Sequence, residues 1–383
     1  MKILWLAPIP LIDAKDTHPA PWVITLAKAL ISKGNTLTII NNNSSISKDT
    51  VTIEYEGIKI VYIKTPKLKI DLLTFYKLKI HIVNKYLKQI INTYDILHIH
   101  GTEHQYEAMS NGLHIPKIIS IQGIMSEYIK FIPVSKYKQF IEWSLSSFYE
   151  TKYLNKNDNY SCRTHWDSGY IKSKNHNANI YMIWEMIREE FFSNNFSLKK
   201  ENLLFVGGNN HLKGLKELLN AYDNSLQGLG LKLIILGNCS IVDVKELIQI
   251  QNLKNINLKN IDCRGMQDSK GMIKAYKDSY CLVHPTYIDN SPNSVCEAQI
   301  SGLPVIATDV GGVSSLIENE ISGLLINRGS LNIEKAVKKL LINDLLREKI
   351  SKNSRMIARK RHNPNTILEQ TIMMYKTIIG EKN

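Results

Sequence analysis

The segment 285–312 constrains the fold of this chain more than any other part of its sequence. Ser291 is placed to act as the N-cap of a helix whose first position is Pro292, where a missing N–H costs nothing. Gly302 is suited to end that helix in the left-handed conformation. The apolar run 304–307 then predicts a buried parallel strand. The segment therefore predicts a loop–helix–strand unit of the kind that builds α/β layers.

Two carboxylates flank the start of this predicted helix. Asp289 lies in the preceding loop, and Glu297 follows it after seven intervening residues. A helix N-terminus offers free N–H groups and a positive dipole end, which together suit a phosphate group. Here those N–H groups belong to Asn293, Ser294 and Val295. Glu297, about one turn into the helix, is placed to reach a diol close to such a phosphate.

These acids and the block from Ala298 to Gly312 resemble a known enzyme family. They are similar to the retaining nucleotide-sugar glycosyltransferases of the two-lobed GT-B fold, in their fourth sequence family and of the bacterial surface-polysaccharide type. That family has two glutamates separated by seven residues, and this chain keeps the second as Glu297 but has Asp289 as the first. The resemblance implies that Glu297 holds the ribose diol and that Asp289, one methylene shorter than glutamate, contacts the donor sugar.

A second stretch, residues 203–219, resembles the strand, glycine loop, lysine and helix of the same family. A short apolar run predicts the strand, and leucines at helical spacing predict the helix. Lys213 precedes that helix, where a fixed cation would neutralise a leaving pyrophosphate. A solvated loop lysine is the alternative. The family usually has a basic residue where this chain has Gly208, so Asn209 and Asn210 are expected to donate compensating hydrogen bonds.

Five further residues are substrate-binding candidates by the same resemblance. Gly101 and Thr102 follow a strand whose loop faces the cleft in the family. Gln122 stands where many relatives have histidine, and its neutral amide cannot act as a general base. Arg163 is expected to aim at the cleft or, equally, to serve as a structural arginine. Met266 follows a strand end that lies against the nucleotide base in relatives, although methionine is also a common core filler.

The histidines around the first of these strands invite a metal interpretation. His98 and His100 would share one face of the strand, with Glu103 and His104 just beyond it. No distant Cys/His cluster completes a site. The five cysteines lack paired CxxC spacing, which predicts reduced thiols rather than a zinc site or disulfides. The chain also contains no DxD motif, so we expect no metal and no cofactor.

The chain of 383 residues is too long for one ordinary core and predicts two domains of about 150–200 residues. Strands and helices alternate in both halves, which predicts α/β layers with parallel sheets. We expect two Rossmann-like lobes facing each other across a cleft. The acceptor-side lobe would span 1–190 and the nucleotide-sugar-binding lobe 200–362, with a terminal helix at 363–383 that returns to the first lobe, as in the family. Residues 8–21 are predicted to form a cleft loop, and 192–202 a linker.

The formal net charge of +13 favours an anionic partner. No nucleic-acid-binding motif is present, so nucleic acid is not the expected partner. The stretches Lys59 to Lys88 and Lys130 to Trp143 interleave lysines with apolar side chains, which is typical of segments at an anionic membrane surface. Core-packed helices with a solvated lysine face explain the pattern equally well. The start is unlike a signal peptide, so we expect a cytoplasmic protein. The two lysine-rich stretches make a peripheral position on the inner face of the cytoplasmic membrane the further expectation.

Our leading interpretation is a metal-independent glycosyltransferase. It would move a hexosyl or N-acetylhexosaminyl unit, with retention, from a nucleotide-diphosphate sugar to a hydroxyl of a glycan or lipid-linked glycan. UDP is the favoured nucleotide, and capsule or O-antigen synthesis the favoured setting. The alternatives are a nicotinamide-dependent oxidoreductase and a non-catalytic two-lobed sugar-binding protein. An oxidoreductase would have a G-x-G-x-x-G turn after an initial strand, and this chain has none after either. A non-catalytic sugar-binding protein does not account for the Lys213/Glu297 pair.

Overall fold

The computed structural model describes residues 1–12, 20–193 and 201–380. The chain divides into two compact units. Unit 1 comprises Met1–Met186 with Pro364–Asn383, and unit 2 comprises Ile187–Asn363. Half of the predicted cleft loop, including His18, and most of the predicted linker lie outside the described residues.

Unit 1 is built on one sheet. Its strands are β1 (Lys2–Leu6), β2 (Thr36–Asn43), β3 (Thr50–Tyr55), β4 (Ile58–Lys64), β5 (Ile96–His100), β6 (Lys117–Ser120), β7 (Asn159–Cys162) and β8 (Asn179–Met182). They lie in the order β3-β4-β2-β1-β5-β6-β7-β8, and the described neighbours pair in parallel except β3 with β4. The helices are α1 (Pro21–Ser32), α2 (Leu68–Leu73), α3 (Lys77–Ile90), α4 (Tyr106–Met109), α5 (Met125–Tyr128), α6 (Tyr137–Tyr153) and α7 (His165–Lys174).

The central strand β1 is apolar on both faces because the sheet is covered on both sides. Ile3 and Trp5 belong to the core on one face, and Leu4 and Leu6 belong to the core on the other. This division follows the two-residue period of a strand. A continuous apolar run in the sequence therefore corresponds to a fully buried strand of a parallel sheet.

Unit 2 contains a second, fully parallel sheet among its described strands. The strands are β9 (Asn202–Val206), β10 (Lys232–Leu236), β11 (Ile261–Gly265), β12 (Cys281–His284), β13 (Val305–Thr308) and β14 (Leu324–Ile326). The helices are α8 (Leu215–Ala221), α9 (Ile241–Ile250), α10 (Ser269–Lys277), α11 (Asn293–Ser301), α12 (Ser330–Leu341) and α13 (Asp344–Arg361). The order β11-β10-β9-β12-β13-β14 reverses direction between β9 and β12. Doubly wound folds bind ligands outside the carboxyl ends of the strands at such a point.

The last described helix, α14 (Pro364–Ile379), is part of unit 1. The indole N–H of Trp5 donates to the Tyr375 hydroxyl at 3.1 Å, and Nδ1 of His98 lies 2.6 Å from the same oxygen. All three side chains are buried. These contacts join the final helix to the two central strands of the first sheet.

Helix α11 begins one residue later than the sequence predicts. Its N-cap is Pro292, with ψ at 119°, so the predicted N-cap Ser291 is wrong. Proline fixes φ but leaves ψ free, and the carbonyl of Pro292 accepts the N–H groups of Val295 and Cys296 at 3.0 and 3.2 Å. The predicted left-handed cap at Gly302 is confirmed, with φ at 83°.

Candidate functional site

The loops that follow β9 and β12 are joined where the strand order of unit 2 reverses. The backbone N–H of Tyr287 and the hydroxyl of Thr286 both donate to the carbonyl oxygen of Leu212, each at 2.8 Å. Leu212 immediately precedes Lys213, and Thr286 lies three residues before Asp289. The fold therefore brings together two of the three residues to which the sequence assigns catalysis.

Gly214 allows this close approach, because it has φ at +77° and a Cβ there would overlap the carbonyl of Pro285. We expect Gly214→Ala to lower the free energy of unfolding by about 2–4 kcal/mol, from left-handed backbone strain together with steric overlap. Gly230→Ala is the matched control, because φ is +76° there and no atom lies within 4 Å. It should lose only about 1–2 kcal/mol. Urea denaturation of both variants measures the difference, and equal losses would contradict the steric explanation.

The carboxylate of Asp289 contacts one charged side chain and one neutral side chain. Nζ of Lys213 donates to Oδ2 of Asp289 at 2.5 Å, and Nε2 of His284 lies 3.2 Å from the same oxygen. Burial alone would raise the pKa of Asp289, but Lys213 and the hydrogen bond with His284 together hold that pKa below its usual range. Burial lowers the pKa of His284, so its imidazole is neutral at pH 7. The acid is thus ionised and oriented before any ligand arrives.

The backbone of the loop after β9 explains why glycine occupies position 208. Its φ is +57°, and a Cβ would lie 2.6 Å from the backbone nitrogen of Asn238 in the loop after β10. The basic residue that the family places there does not fit this backbone. Asn209 bonds the same loop, its N–H donating to the carbonyl of Asn238 at 2.9 Å. The Asn210 side chain accepts the N–H of Leu212 at 3.1 Å. Their hydrogen bonds to a phosphate stay a prediction.

Glu297 lies buried in α11 between two donors from distant parts of unit 2. Arg188 contacts Oε1 at 3.2 Å, and the hydroxyl of Tyr276 donates to Oε2 at 3.0 Å. Burial raises the pKa of Glu297 although both neighbours oppose the rise. Each carboxylate oxygen accepts more than one hydrogen bond, so the two donors fix its orientation and leave capacity for a diol. Sequence reasoning missed both partners.

The N-terminus of α11 supplies fewer free donors than predicted. The first N–H groups of a helix have no intrahelical partner, which applies to those of the partly exposed Asn293 and Ser294. Val295 is buried, and its N–H already donates to the carbonyl of Pro292 at 3.0 Å. The N–H of Val295 thus already has a partner, and its contact with a phosphate stays a prediction. Met266 follows β11 and is 78% exposed, which excludes the core-filler alternative for its side chain.

The four candidates in unit 1 lie in hydrogen-bonded surroundings, three of them buried and Gln122 half-buried. The Thr102 hydroxyl donates to the carboxylate of Glu150 at 2.6 Å. Gly101 has φ at +86°, and a Cβ there would collide with the neighbouring Glu103 carboxylate. The side-chain oxygen of Gln122 accepts from the Arg163 guanidinium at 2.7 Å.

Arg163 is also ion-paired with Glu185, and both side chains are buried. This geometry is that of the structural arginine, bonded to side chains instead of main-chain carbonyls. The substrate contacts of the four unit 1 candidates stay predictions.

The two histidines of β5 stack on each other, and one of them is hydrogen-bonded through both ring nitrogens. The rings of His98 and His100 stack with centroids 4.0 Å apart, and Nε2 of His98 lies 2.6 Å from the hydroxyl oxygen of Ser120. Burial lowers the pKa of both imidazoles, His98 to about 3. In the described part of the chain, no group of three or more His, Cys, Asp or Glu side chains is arranged to hold a metal ion.

The stretch from Lys59 to Lys88 is not one amphipathic element. It crosses β4, α2 and α3, and Lys79 within it is only 7% exposed. The prediction that Lys79 belongs to a membrane-facing series of lysines is therefore wrong. Large apolar side chains are nevertheless exposed on this stretch and around α6, namely Leu68, Ile70, Leu73, Phe75, Leu78, Val134, Tyr137, Phe140, Ile141 and Phe148. None of the helices formed by residues 1–12, 20–193 and 201–380 has both the length and the apolar composition that crossing a bilayer requires.

Solved structures share this architecture over nearly the whole chain. Sucrose-phosphate synthase from Thermosynechococcus elongatus matches with a TM-score of 0.80 at 16% identity, covering 100% of both chains. The Anabaena protein Alr3699/HepE, solved in complex with UDP-glucose, matches with a TM-score of 0.69 at 14% identity, covering 98% of this chain and 100% of that one. The predicted fold class, two α/β units with parallel sheets as in GT-B proteins, is confirmed.

Residues 186–356 match the family described as Glycosyl transferases group 1. The predicted resemblance is confirmed for this segment, which includes Lys213, Asp289 and Glu297. The capsular polysaccharide biosynthesis glycosyltransferase CapM of Staphylococcus aureus is 27% identical over 175 residues, which are 44% of this chain and 44% of CapM. The match thus spans less than half of that relative. Membership of the fourth sequence family stays a prediction.

Proposed function

We propose that this protein is a retaining glycosyltransferase that uses a nucleotide-diphosphate sugar, with UDP as the favoured nucleotide. The observation that carries the proposal is the Lys213–Asp289 pair, which lies where the strand order of unit 2 reverses between β9 and β12. A cation and an ionised acid are held there within the segment that matches group 1 glycosyl transferases. The Anabaena structure with UDP-glucose supports the choice of nucleotide by its shared fold.

Each part of the donor has a proposed partner. Lys213 and the N–H groups of Asn293 and Ser294 stabilise the diphosphate as negative charge develops on it. Glu297 accepts hydrogen bonds from the ribose diol, and Asp289 from a hydroxyl of the sugar. Arrival of the diphosphate gives Lys213 a second anionic partner, which leaves Asp289 more available to the sugar. Met266, Asn209 and Asn210 complete the proposed base and phosphate contacts.

The proposed reaction exchanges one bond for another at the anomeric carbon. The bond to the diphosphate oxygen breaks, a bond to the acceptor oxygen forms on the same face, and the acceptor proton passes to the departing phosphate. We infer from the resemblance that retention results and that the transferred unit is a hexose or N-acetylhexosamine.

The acceptor is proposed to be a glycan or lipid-linked glycan bound by unit 1. CapM is named for capsular polysaccharide biosynthesis, which supports surface glycan synthesis as the setting. TarM of Staphylococcus aureus has been solved with UDP and α-GlcNAc-glycerol, which supports UDP as the nucleotide. We further propose a cytoplasmic protein, peripheral on an anionic membrane surface.

Calorimetric titration with UDP, GDP and NAD tests the donor class. We expect UDP to bind, GDP to bind more weakly and NAD not to bind. Preference for NAD would favour the oxidoreductase alternative, and absence of binding to all three would favour a sugar-binding protein. A radiolabelled UDP-sugar panel, with release of UDP as the readout, then identifies the sugar.

The two acids should have separable effects on the same titration. Glu297→Gln is expected to weaken UDP about 10- to 100-fold, because a hydrogen bond to a charged group contributes about 1.5–3 kcal/mol. Asp289→Asn should leave UDP affinity nearly unchanged and weaken the UDP-sugar. Glu246→Gln, an exposed glutamate of α9, is the control. Melting temperatures establish that each variant is folded, and equal effects of both changes on free UDP would contradict the division of roles.

A further inference from the structure

Unit 1 contains a cavity of about 750 Å³. This volume lies within the range of about 300–1,000 Å³ that is usual for ligand pockets. The end of β2, helices α2, α3, α5 and α6, and the loops after β4, β5 and β6 surround it, all within one unit. Of the substrate-binding candidates that the sequence analysis named, Gln122 is in its lining. The other residues that line the cavity have no role in the proposed donor site.

Two buried polar side chains of the lining have an oxygen without a hydrogen-bond partner, and a buried ammonium lies in the same lining. The ammonium is that of Lys79, which is 7% exposed and lies 4.2 Å from the ring centroid of Tyr76. Asp71 is 5% exposed and its Oδ1 has no hydrogen-bond partner. Gln105 is 2% exposed, with its side-chain oxygen likewise unpartnered. Buried groups of this kind are normally satisfied, so a ligand with both donors and acceptors would complete them.

The charges of the lining disfavour an anionic ligand. Asp71, Glu103 and Glu142 face the cavity together with the single ammonium of Lys79. Burial lowers the pKa of Lys79 to about 8 although Asp71 opposes the change, so the side chain is still mostly protonated at pH 7. Burial raises the pKa of Glu103 to about 7, so its carboxyl is partly protonated and both donates and accepts hydrogen bonds. Such a set suits hydroxyl groups.

Two aromatic rings provide an apolar wall. The rings of Tyr128 and Trp143 lie with centroids 6.3 Å apart and planes tilted by 57°. Both residues line the cavity, and Trp143 is one helical turn before the buried Ser146 of α6. A saturated sugar ring has an apolar C–H face and a hydroxyl rim. The wall suits the former and the unsatisfied polar groups suit the latter.

We propose that this cavity binds a neutral, hydroxyl-rich pyranose ring. Lys79 and Asp71 hydrogen-bond its hydroxyls, and Trp143 packs against its C–H face. The assignment as the acceptor's terminal sugar rests on the proposed function, but the binding itself requires neither the donor nor turnover. The cavity lies between the two stretches with exposed apolar side chains, which fits a sugar carried on a lipid.

The test is a titration observed at Trp143 in the full-length protein without nucleotide. The five tryptophans are labelled with 5-fluorotryptophan, and loss of one ¹⁹F resonance in Trp143→Phe assigns the signal. The neutral probes are glucose, galactose, N-acetylglucosamine and rhamnose, each to about 100 mM. The charged probes are glucuronate and glucosamine. We expect at least one neutral probe to shift the Trp143 resonance with saturation and to leave the other four unchanged.

Variants of the polar pair sharpen the test. Lys79→Met keeps the length and apolar stem of the side chain and should weaken the neutral probe at least 10-fold. Asp71→Asn should do the same and serves if the lysine variant does not fold. Lys77→Met, an exposed lysine of the same helix, is the control and should bind like the wild type.

Each outcome decides the proposal. Saturable binding of a neutral probe that both variants weaken supports it. Tighter binding of glucuronate or glucosamine than of every neutral probe overturns the ligand class. No shift by any probe, or a shift that Lys79→Met and Asp71→Asn leave intact, overturns the site. UDP calorimetry on the same samples reports separately on the proposed function, so the two can fail independently.

Discussion

Replacing Lys213 with alanine is expected to lower kcat by about 100-fold or more. A preorganised charge at a developing anion contributes several kcal/mol to the barrier, and each 1.4 kcal/mol is a factor of ten. The side chain is confined, because Gly207 lies against its Cβ and Asp289 bonds its ammonium. Its position is therefore set before the donor binds, which is the condition for electrostatic preorganisation. Steady-state kinetics with the identified UDP-sugar measures the effect.

The alanine variant also leaves Asp289 without its cation. Because both side chains retain some exposure, we expect a loss of about 1–3 kcal/mol in the free energy of unfolding. Lys216→Ala, an exposed lysine one helical turn further along the chain, is the matched control and should keep normal kinetics. A folded Lys213→Ala protein with wild-type kcat/KM would show that the assigned phosphate role is wrong.

Charge reversal on unit 1 is expected to abolish binding to anionic vesicles. Phosphatidylserine vesicles at about 50 mM salt, where screening is weak, should pellet the wild type, and neutral vesicles should not. The altered set consists of exposed lysines next to the exposed apolar side chains, namely Lys67, Lys69, Lys77 and Lys136, each changed to Glu. Each lysine near such a surface contributes about 1 kcal/mol, so losing four weakens binding about 1,000-fold.

A second quadruple variant separates local from overall charge. Its lysines are exposed on unit 2, namely Lys245, Lys254, Lys259 and Lys335, each changed to Glu. Both variants lower the formal net charge by 8, from +13 to +5. The unit 2 variant should still pellet with anionic vesicles, and both should bind UDP normally. Equal loss in the two variants, or no pelleting of the wild type, would leave a soluble acceptor as the better interpretation.

The parts of unit 2 that the sequence predicted are those set by local patterns. The apolar run of β9 and the glycine after α11 depend on neighbouring residues, and both are found as predicted. The N-cap of α11 was wrong because Pro292 takes an extended ψ, which a residue preference for Ser291 does not reveal.

The partners of the candidate acids were beyond sequence reasoning because they are distant along the chain. Arg188 is 109 residues from Glu297, and no spacing rule connects them. His284 could have been predicted as a site residue from the sequence. It is a polar residue at the carboxyl end of an apolar strand, where doubly wound sheets bind ligands. Lys79 belongs to a lysine-rich stretch, and only the packing of α3 distinguishes its buried side chain from the exposed ones.

The position of α14 has a consequence for biosynthesis. Residues 187–363 form an uninterrupted segment, so a ribosome delivers all of unit 2 before it reaches Tyr375. Until then, Trp5 and His98 lack the hydroxyl to which both are bonded in the finished sheet. The unit whose synthesis starts first is thus the one whose core is completed last. No nascent fragment that stops before residue 364 therefore holds the complete first core.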